Sequence, residues 1–251
     1  MHQFPCIFHY ESIGKGDIPL VMLHGFGESL ESLKPLAHLL AETRQVLLID
    51  IPGFGKSAYD ESLTSARTIA IALHTFLKVN GFEKVDFLGH SFGGKVGMTF
   101  ASCYSEYVRR LILIGSSGLK RKRGFKEGAR HHSIVTLGKF LKISDRAFGS
   151  AWFATWFTPR FASSDYKHFP HVRKILIRSI NENINKDIAK IQNPALLLWG
   201  ALDTETPLEM GKRLNKMIKS SQIIVYPTLG HKPFQDVGRH LIKEHIDRFL
   251  C

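Results

Sequence analysis

The chain has 251 residues, 44% of them hydrophobic and 22% charged, long enough to close a sizeable core and too apolar for bulk disorder. Its formal net charge is +12, and its three cysteines (Cys6, Cys103 and Cys251) are scattered without a C-x-x-C pair. That usage fits free thiols in a reducing cytoplasm and disfavours a cysteine zinc site. No apolar run approaches the ~20 residues of a membrane helix, and the opening MHQFPCIFHYE lacks the regions of a secretory signal. The expectation is a cytoplasmic protein with no stable membrane insertion.

In chain order, Cys6–Ile13 followed by GKGD reads as a strand and tight turn, expected to form an antiparallel edge hairpin. Short runs rich in Val, Ile and Leu then recur at Pro19–Leu23, Gln45–Ile49, Val85–Leu88, Arg110–Ile114, Ala195–Trp199 and Gln222–Tyr226. Continuous apolar runs of this length predict strands buried on both faces, as in a parallel sheet. Between them, Leu30–Ala41, Ala66–Val79, Phe92–Tyr104, Leu208–Ile218 and Asp236–Leu250 place apolar residues at helical spacing; Ile69, Leu73, Phe76 and Leu77 would share one face, and Gly81 is a plausible stop. Alternating strand and helix predicts an α/β fold with a mostly parallel central sheet flanked by helices.

The alternation fails between about Leu119 and Lys190. This stretch holds two of the three tryptophans and a series of phenylalanines, and reads as a helical insertion between two strands. The predicted organisation is a core at 1–118, a basic, aromatic helical segment at 119–190, and the rest of the core at 191–251. From Leu119 to Arg178 there are 14 Lys and Arg against three acids, so +11 of the net charge belongs to this segment.

Chemistry concentrates at the strand ends. Gly89-His90-Ser91-Phe92-Gly93 follows one predicted strand and opens a helix, so Ser91 would sit on a sharp turn with the helix N–H groups beside it. A serine hydroxyl needs a base. Among 13 histidines, His231 in Leu229-Gly230-His231-Lys232-Pro233 follows the last strand and falls at the same carboxyl edge as Ser91. His90 is read as structural support, and His131, His132, His168 and His171 as solvated or packing residues. Asp203, just past Ala195–Trp199, is the candidate acid; Glu205 is a rival two residues on, and Asp50 reads as part of a structured turn. For an oxyanion hole, the backbone N–H of Phe92 and of Phe26 in His24-Gly25-Phe26-Gly27 are the candidates. That glycine-rich loop lacks the lysine pattern of a phosphate loop and the dinucleotide fingerprint.

Five stretches carry a resemblance to the α/β-hydrolase superfamily: HGFG at 24–27, DIPGFGKS at 50–57, GHSFGG at 89–94, WGALD at 199–203 and GHKPF at 230–234. The chain is similar in length and layout to small bacterial carboxylesterases, including the pimeloyl-carrier-protein methyl ester esterases. The resemblance implies an α/β-hydrolase fold with a helical lid at 119–190, a Ser91–His231–Asp203 triad, and ester hydrolysis without metal or organic cofactor. Carbon–carbon bond hydrolases, MenH-like enzymes and peptidases share the layout, as do ligand-binding receptors. C–C hydrolases commonly carry Asn where His90 stands, which favours an esterase. Ser91 departs from epoxide hydrolases and haloalkane dehalogenases, which use aspartate there.

The expected partner is a small-molecule ester. The aromatic segment could roof an apolar acyl or aryl pocket or form the insertion's own core. Lys120, Arg121, Lys122 and Arg123 could dock an acidic acyl carrier protein or simply solubilise the surface. No nucleic-acid recognition motif accompanies the charge, so nucleic acid is not expected; the segment's composition also admits a membrane-surface role.

Overall fold

Every predicted apolar run becomes a strand of one seven-stranded sheet, in the order β1-β3-β2-β4-β5-β6-β7. The strands are β1 Tyr10–Ile13, β2 Leu20–Leu23, β3 Val46–Ile49, β4 Val85–His90, β5 Val108–Ile114, β6 Ala195–Gly200 and β7 Ser221–Tyr226. The computed structural model describes residues 7–120, 125–161, 168–235 and 238–251, without the side chains of residues 125–131. Cys6 and Asp236 therefore lie outside the described residues, while Cys103 and Cys251 are free thiols.

β1 is antiparallel, as expected of an edge strand, but it forms no hairpin with β2. It pairs with β3, Tyr10 opposite Ile49, because β2 is held on both sides by parallel partners, β3 and β4. The remaining pairs are parallel. The chain runs from β2 outward to β3, then returns to place β4 on the other side of β2. This reversal of direction opens a crevice at the carboxyl ends of β2 and β4, the usual ligand position in such sheets.

The strands read as unbroken apolar runs because both faces are covered. Val21, Leu23, Phe87, Leu113 and Trp199 face one layer, which contains Ile69, Leu73 and Leu77 of α2 (Ala66–Val79) and Val96 and Phe100 of α3 (Phe92–Cys103). Leu20, Met22, Leu48, Ile112 and Leu198 face the other, with Leu36 and Leu40 of α1 (Lys34–Leu40). Each such buried side chain contributes on the order of 1.5–3 kcal/mol by leaving water.

Local signals set the helix ends. Ser65 caps α2 reciprocally with Thr68: the Ser65 hydroxyl accepts from Thr68 N–H, and the Thr68 hydroxyl accepts from Ser65 N–H. Gly81 follows at φ +78°, as the C-terminal stop requires. The predicted helix over Leu30–Ala41 divides into a 3₁₀ turn at Leu30–Ser32 and α1, because Pro35 has no N–H to continue a preceding helix but suits a first turn.

Between β5 and β6 the described residues form helices and turns: α4 Phe125–Phe148, a π turn at Phe153–Phe157 running into α5 Thr158–Phe161, a 3₁₀ turn at Pro170–Val172, α6 Arg173–Asn181 and α7 Asn185–Ile188. Lys95 ties this segment to the sheet layer. It leaves α3 with its side chain 3% exposed and donates to the carbonyls of Ser179 (2.6 Å) and Glu182 (3.0 Å). Burial pulls its ammonium below the ordinary lysine range, against the pull of Glu182. Glu182 in turn accepts from Ala66 N–H at 3.0 Å, capping α2. After β6, α8 (Leu208–Met217) and α9 (Gly238–Leu250) complete the layers.

Candidate active site

Four loops converge at the carboxyl edge of the sheet, after β2, β4, β6 and β7. Ser91 stands between β4 and α3 at φ 50°, ψ −113°, and among the described residues it alone takes a positive φ without being glycine. Such a conformation costs on the order of 1–3 kcal/mol and persists only where its surroundings enforce it. The flanking glycines explain how the turn fits. A Cβ at Gly89 would lie 2.5 Å from the Gly93 backbone, and one at Gly93 would lie 2.4 Å from Leu23 O. Ser91 N–H also donates to Ile114 O, and Ser91 O accepts from Ser117 N–H, so β5 and its loop hold the turn from the side.

His231 and Asp203 form a direct pair: Nδ1 of the imidazole is 2.8 Å from Asp203 Oδ2, with the carboxylate side chain fully buried. Donation from Nδ1–H leaves Nε2 as the basic nitrogen. Burial alone would raise the Asp203 pKa, but hydrogen bonds and charge from His231 and hydrogen bonds from Thr206 outweigh it and hold the carboxyl below its ordinary range. The second oxygen, Oδ1, accepts from Glu205 N–H (2.9 Å) and Thr206 N–H (2.8 Å). The Thr206 hydroxyl lies 2.7 Å from Asp203 Oδ2 and 2.9 Å from Gly115 O, and its one proton serves one of the two. Trp199 fixes this loop by donating its indole N–H to Thr206 O at 2.7 Å. Thr206 belongs to none of the motifs above; its signal in the sequence is the Asp-x-x-Thr spacing before Pro207, a pattern that folds a carboxylate back onto following N–H groups.

The rival acid is not remote. Glu205 Oε2 is 3.5 Å from His231 Nε2, while its side chain is 68% exposed. A solvated carboxylate thus stands beside the nitrogen that would face the nucleophile, and the buried one grips the opposite nitrogen. Asp50 is a turn residue, as read: it accepts from Leu30 N–H (2.7 Å) and Lys56 N–H (2.9 Å).

His90 has a fuller role than filling space. It is buried, its Nε2 is 3.1 Å from His231 O, and its Nδ1 is 3.3 Å from Glu28 Oε2. The residue beside Ser91 therefore holds the backbone of His231. Glu28 also accepts from Gly25 N–H at 3.1 Å and pairs with Lys232. Burial opposes its charge, yet His90 and Lys232 together hold the carboxyl far below its ordinary value of 4.5. One largely buried carboxylate thus joins the loop after β2, the end of β4 and the loop after β7. Sequence spacing gave no hint of this, since Glu28, His90 and Lys232 are far apart in the chain.

The two candidate oxyanion residues are brought together, with the Phe26 and Phe92 rings edge to face at 6.2 Å. Neighbouring N–H groups are committed elsewhere: Gly25 to Glu28, and Gly93 to His24 O at 3.1 Å. His24 locks the loop, its Nδ1 2.7 Å from Gly25 O and its Nε2 accepting from Ile51 N–H at 3.0 Å. Burial keeps this imidazole neutral by lowering its pKa.

The aromatic run of the inserted segment divides. Phe169 packs on Phe26 (6.0 Å) and Phe54 (6.5 Å), over the loop after β2, and Phe157 is buried against α4. Phe140, Phe148, Trp152, Trp156 and Phe161 are exposed instead. His132, His168 and His171 are exposed as well. Lys120 is exposed, its carbonyl accepting from Arg213; Arg121, Lys122 and Arg123 lie outside the described residues. Among the described residues, no group of three or more His, Cys, Asp or Glu side chains could hold a metal ion.

A parallel sheet that delivers a strained serine, a buried acid–imidazole pair and a glycine-rich loop to one edge has the architecture of a hydrolase. The chain belongs to the alpha/beta hydrolase fold family, whose model matches residues 18–236. It is 28% identical over 245 residues to 2-hydroxy-6-oxononadienedioate/2-hydroxy-6-oxononatrienedioate hydrolase 2 of Pseudomonas putida, covering 89% of this chain and 84% of that one. It is 26% identical over 227 residues to Lipase 1 of Psychrobacter immobilis, covering 86% and 71% of the two chains. Its fold is similar to that of an esterase from Exiguobacterium antarcticum, with a TM-score of 0.74, 21% identity, and 96% and 94% of the two chains covered.

Proposed function

We propose that this hydrolase cleaves carboxylic esters through an acyl-enzyme formed on Ser91. The observation that carries the reading is the buried Asp203–His231 pair at 2.8 Å, which frees Nε2 to act as base at the edge where the strained Ser91 turn lies. Ser91 Oγ attacks the ester carbonyl carbon while its proton passes to His231 Nε2. Asp203 stabilises the imidazolium, and the Phe26 and Phe92 N–H groups receive the oxyanion. Collapse breaks the carbon–oxygen bond, and His231 returns the proton to the departing alcohol. A water that gives its proton to His231 then attacks the acyl carbon and releases the acid and Ser91. Residues 119–190 act as a lid over this edge, with Phe169 roofing the loop that carries Phe26. The enzyme works in the cytoplasm on a small-molecule ester held under the lid or, alternatively, on an ester borne on an acidic acyl carrier protein.

A second reading rests on the Pseudomonas putida relative, whose name describes a hydroxy-oxo-dienedioate substrate. The same residues would then cleave a carbon–carbon bond next to the ketone of a vinylogous diketone acid. Hydrolysis of a chain-length series of nitrophenyl esters beside such a diketone decides between the two. Faster turnover of an ester supports the esterase, and faster turnover of the diketone replaces it with the C–C hydrolase. Slow single turnover of both by the folded protein would replace either with a ligand-binding role.

A further inference from the structure

The exposed apolar residues of the inserted segment concentrate on and just after α4, with Ile177 and Ile180 of α6 exposed as well. On α4, Phe140 and Ile143 are 66% and 70% exposed, Phe148 at its end is 82% exposed, and Trp152 just beyond is 62% exposed. Leu137, Phe140, Ile143 and Phe148 fall within an arc of roughly 140° at the helical repeat. Lys139, Lys142 and Arg146 fill the adjoining arc and are exposed too. The flank next to Phe148 is already occupied: Leu141 is buried, and the Phe157 ring lies against Gly138. Asp145 is turned toward the following turn, accepting from Trp152 N–H (2.9 Å) and Phe153 N–H (2.8 Å). Farther along, Arg160 lies over the exposed Trp156 ring at 5.1 Å. Thr136 and Ser144 share the apolar arc of α4, and an exposed face dominated by large apolar side chains on a folded chain marks an interaction surface.

We infer that this face docks on an anionic phospholipid bilayer, with residues 137–148 of α4 lying against the membrane surface. Phe140, Ile143, Phe148 and Trp152 would enter the boundary between headgroups and acyl chains. The flanking Lys139, Lys142 and Arg146 would meet lipid phosphates. Among the described residues no helix is long and apolar enough to cross a membrane, so the contact is peripheral. Charge disfavours a second copy paired antiparallel through α4, which would set the two basic arcs beside one another. The inference is independent of the reaction proposed for Ser91.

The test is sedimentation of the full chain with vesicles of phosphatidylcholine alone and with phosphatidylglycerol added. Binding is expected to the anionic vesicles and to weaken with salt. Phe140→Ser with Ile143→Ser should lower the partition coefficient about ten-fold or more, from the apolar area withdrawn. Lys139→Glu with Arg146→Glu should lower it about five-fold per charge or more. Lys212→Glu with Lys216→Glu on α8, an equal change of net charge away from this face, should leave binding nearly unchanged. Quenching of tryptophan emission by brominated lipid in the wild-type chain reads the same contact without a variant. No binding at low salt, no quenching, undiminished binding of the Phe140/Ile143 variant, or an equal loss in the α8 variant would overturn the inference. So would a dimer in analytical ultracentrifugation that the Phe140/Ile143 variant dissociates, because the face would then belong to a second copy.

Discussion

Replacing Ser91 by glycine should stabilise the protein while abolishing its hydrolysis. At φ 50° and ψ −113° the serine Cβ is strained by about 1–3 kcal/mol, and glycine removes that strain. Against it stands the greater freedom of glycine in the unfolded chain, about 0.5–1 kcal/mol. The Ser91 side chain makes no capping hydrogen bond to α3, so little else is lost. The net change is about 0–2.5 kcal/mol in favour of glycine, with a midpoint near 1 kcal/mol that raises Tm by about 2–4 °C. Ser91→Ala keeps the Cβ and the strain and should melt within about 1 °C of wild type on the same scale. Differential scanning calorimetry of the three proteins is the assay. If Ser91→Gly melts at or below Ser91→Ala, the turn is not held in a conformation that only glycine accepts easily, and the reasoning fails.

Asp203→Asn should lower kcat by about 10³–10⁴-fold, since the buried acid holds the tautomer of His231. Glu205→Gln should stay within about ten-fold of wild type, because an exposed carboxylate interacts weakly through water. The reverse ranking in steady-state kinetics would make Glu205 the working acid. Glu28→Gln takes the carboxylate from Lys232 and from His90 Nδ1 and should cost about 1–3 kcal/mol at pH 7 by chemical denaturation. Because the folded-state pKa of Glu28 is depressed, its contribution is whole above its ordinary value of 4.5 and fades as pH falls toward the folded-state value. The gap between wild type and Glu28→Gln should therefore narrow below about pH 4.5 and hold steady above it; a gap that widens on acidification would refute the assignment. Reversing Lys120, Arg121, Lys122 and Arg123 to Glu should raise KM for an ester on an acyl carrier protein and leave a small soluble ester unaffected. An equal loss on both would remove the carrier docking role.

The sheet was legible because burial on both faces imposes unbroken apolar runs, and those runs became β2 to β7 nearly residue for residue. The pairing of β1 was not, since an edge strand shows its burial pattern but not which neighbour has a free side. The positions of Ser91, Asp203 and His231 were readable because each follows a strand at the same edge of a parallel sheet. What joins them was hidden. The Glu28–His90–His231 backbone connection spans segments far apart in sequence, and the nearness of Glu205 to His231 Nε2 depends on the path of a loop that no periodicity describes. The described residues of the inserted segment were legible as helical from their lack of strand runs, but its aromatics read alike whether buried, as Phe157 is, or exposed, as Phe148 is.

The central claim is nucleophilic attack by Ser91 on an ester. Steady-state hydrolysis of the nitrophenyl ester series by wild type beside Ser91→Ala tests it most directly. The account predicts repeated turnover by wild type, with a preferred acyl length, and loss of that turnover by several orders of magnitude in a folded Ser91→Ala. Turnover that survives in Ser91→Ala at a comparable rate would contradict it.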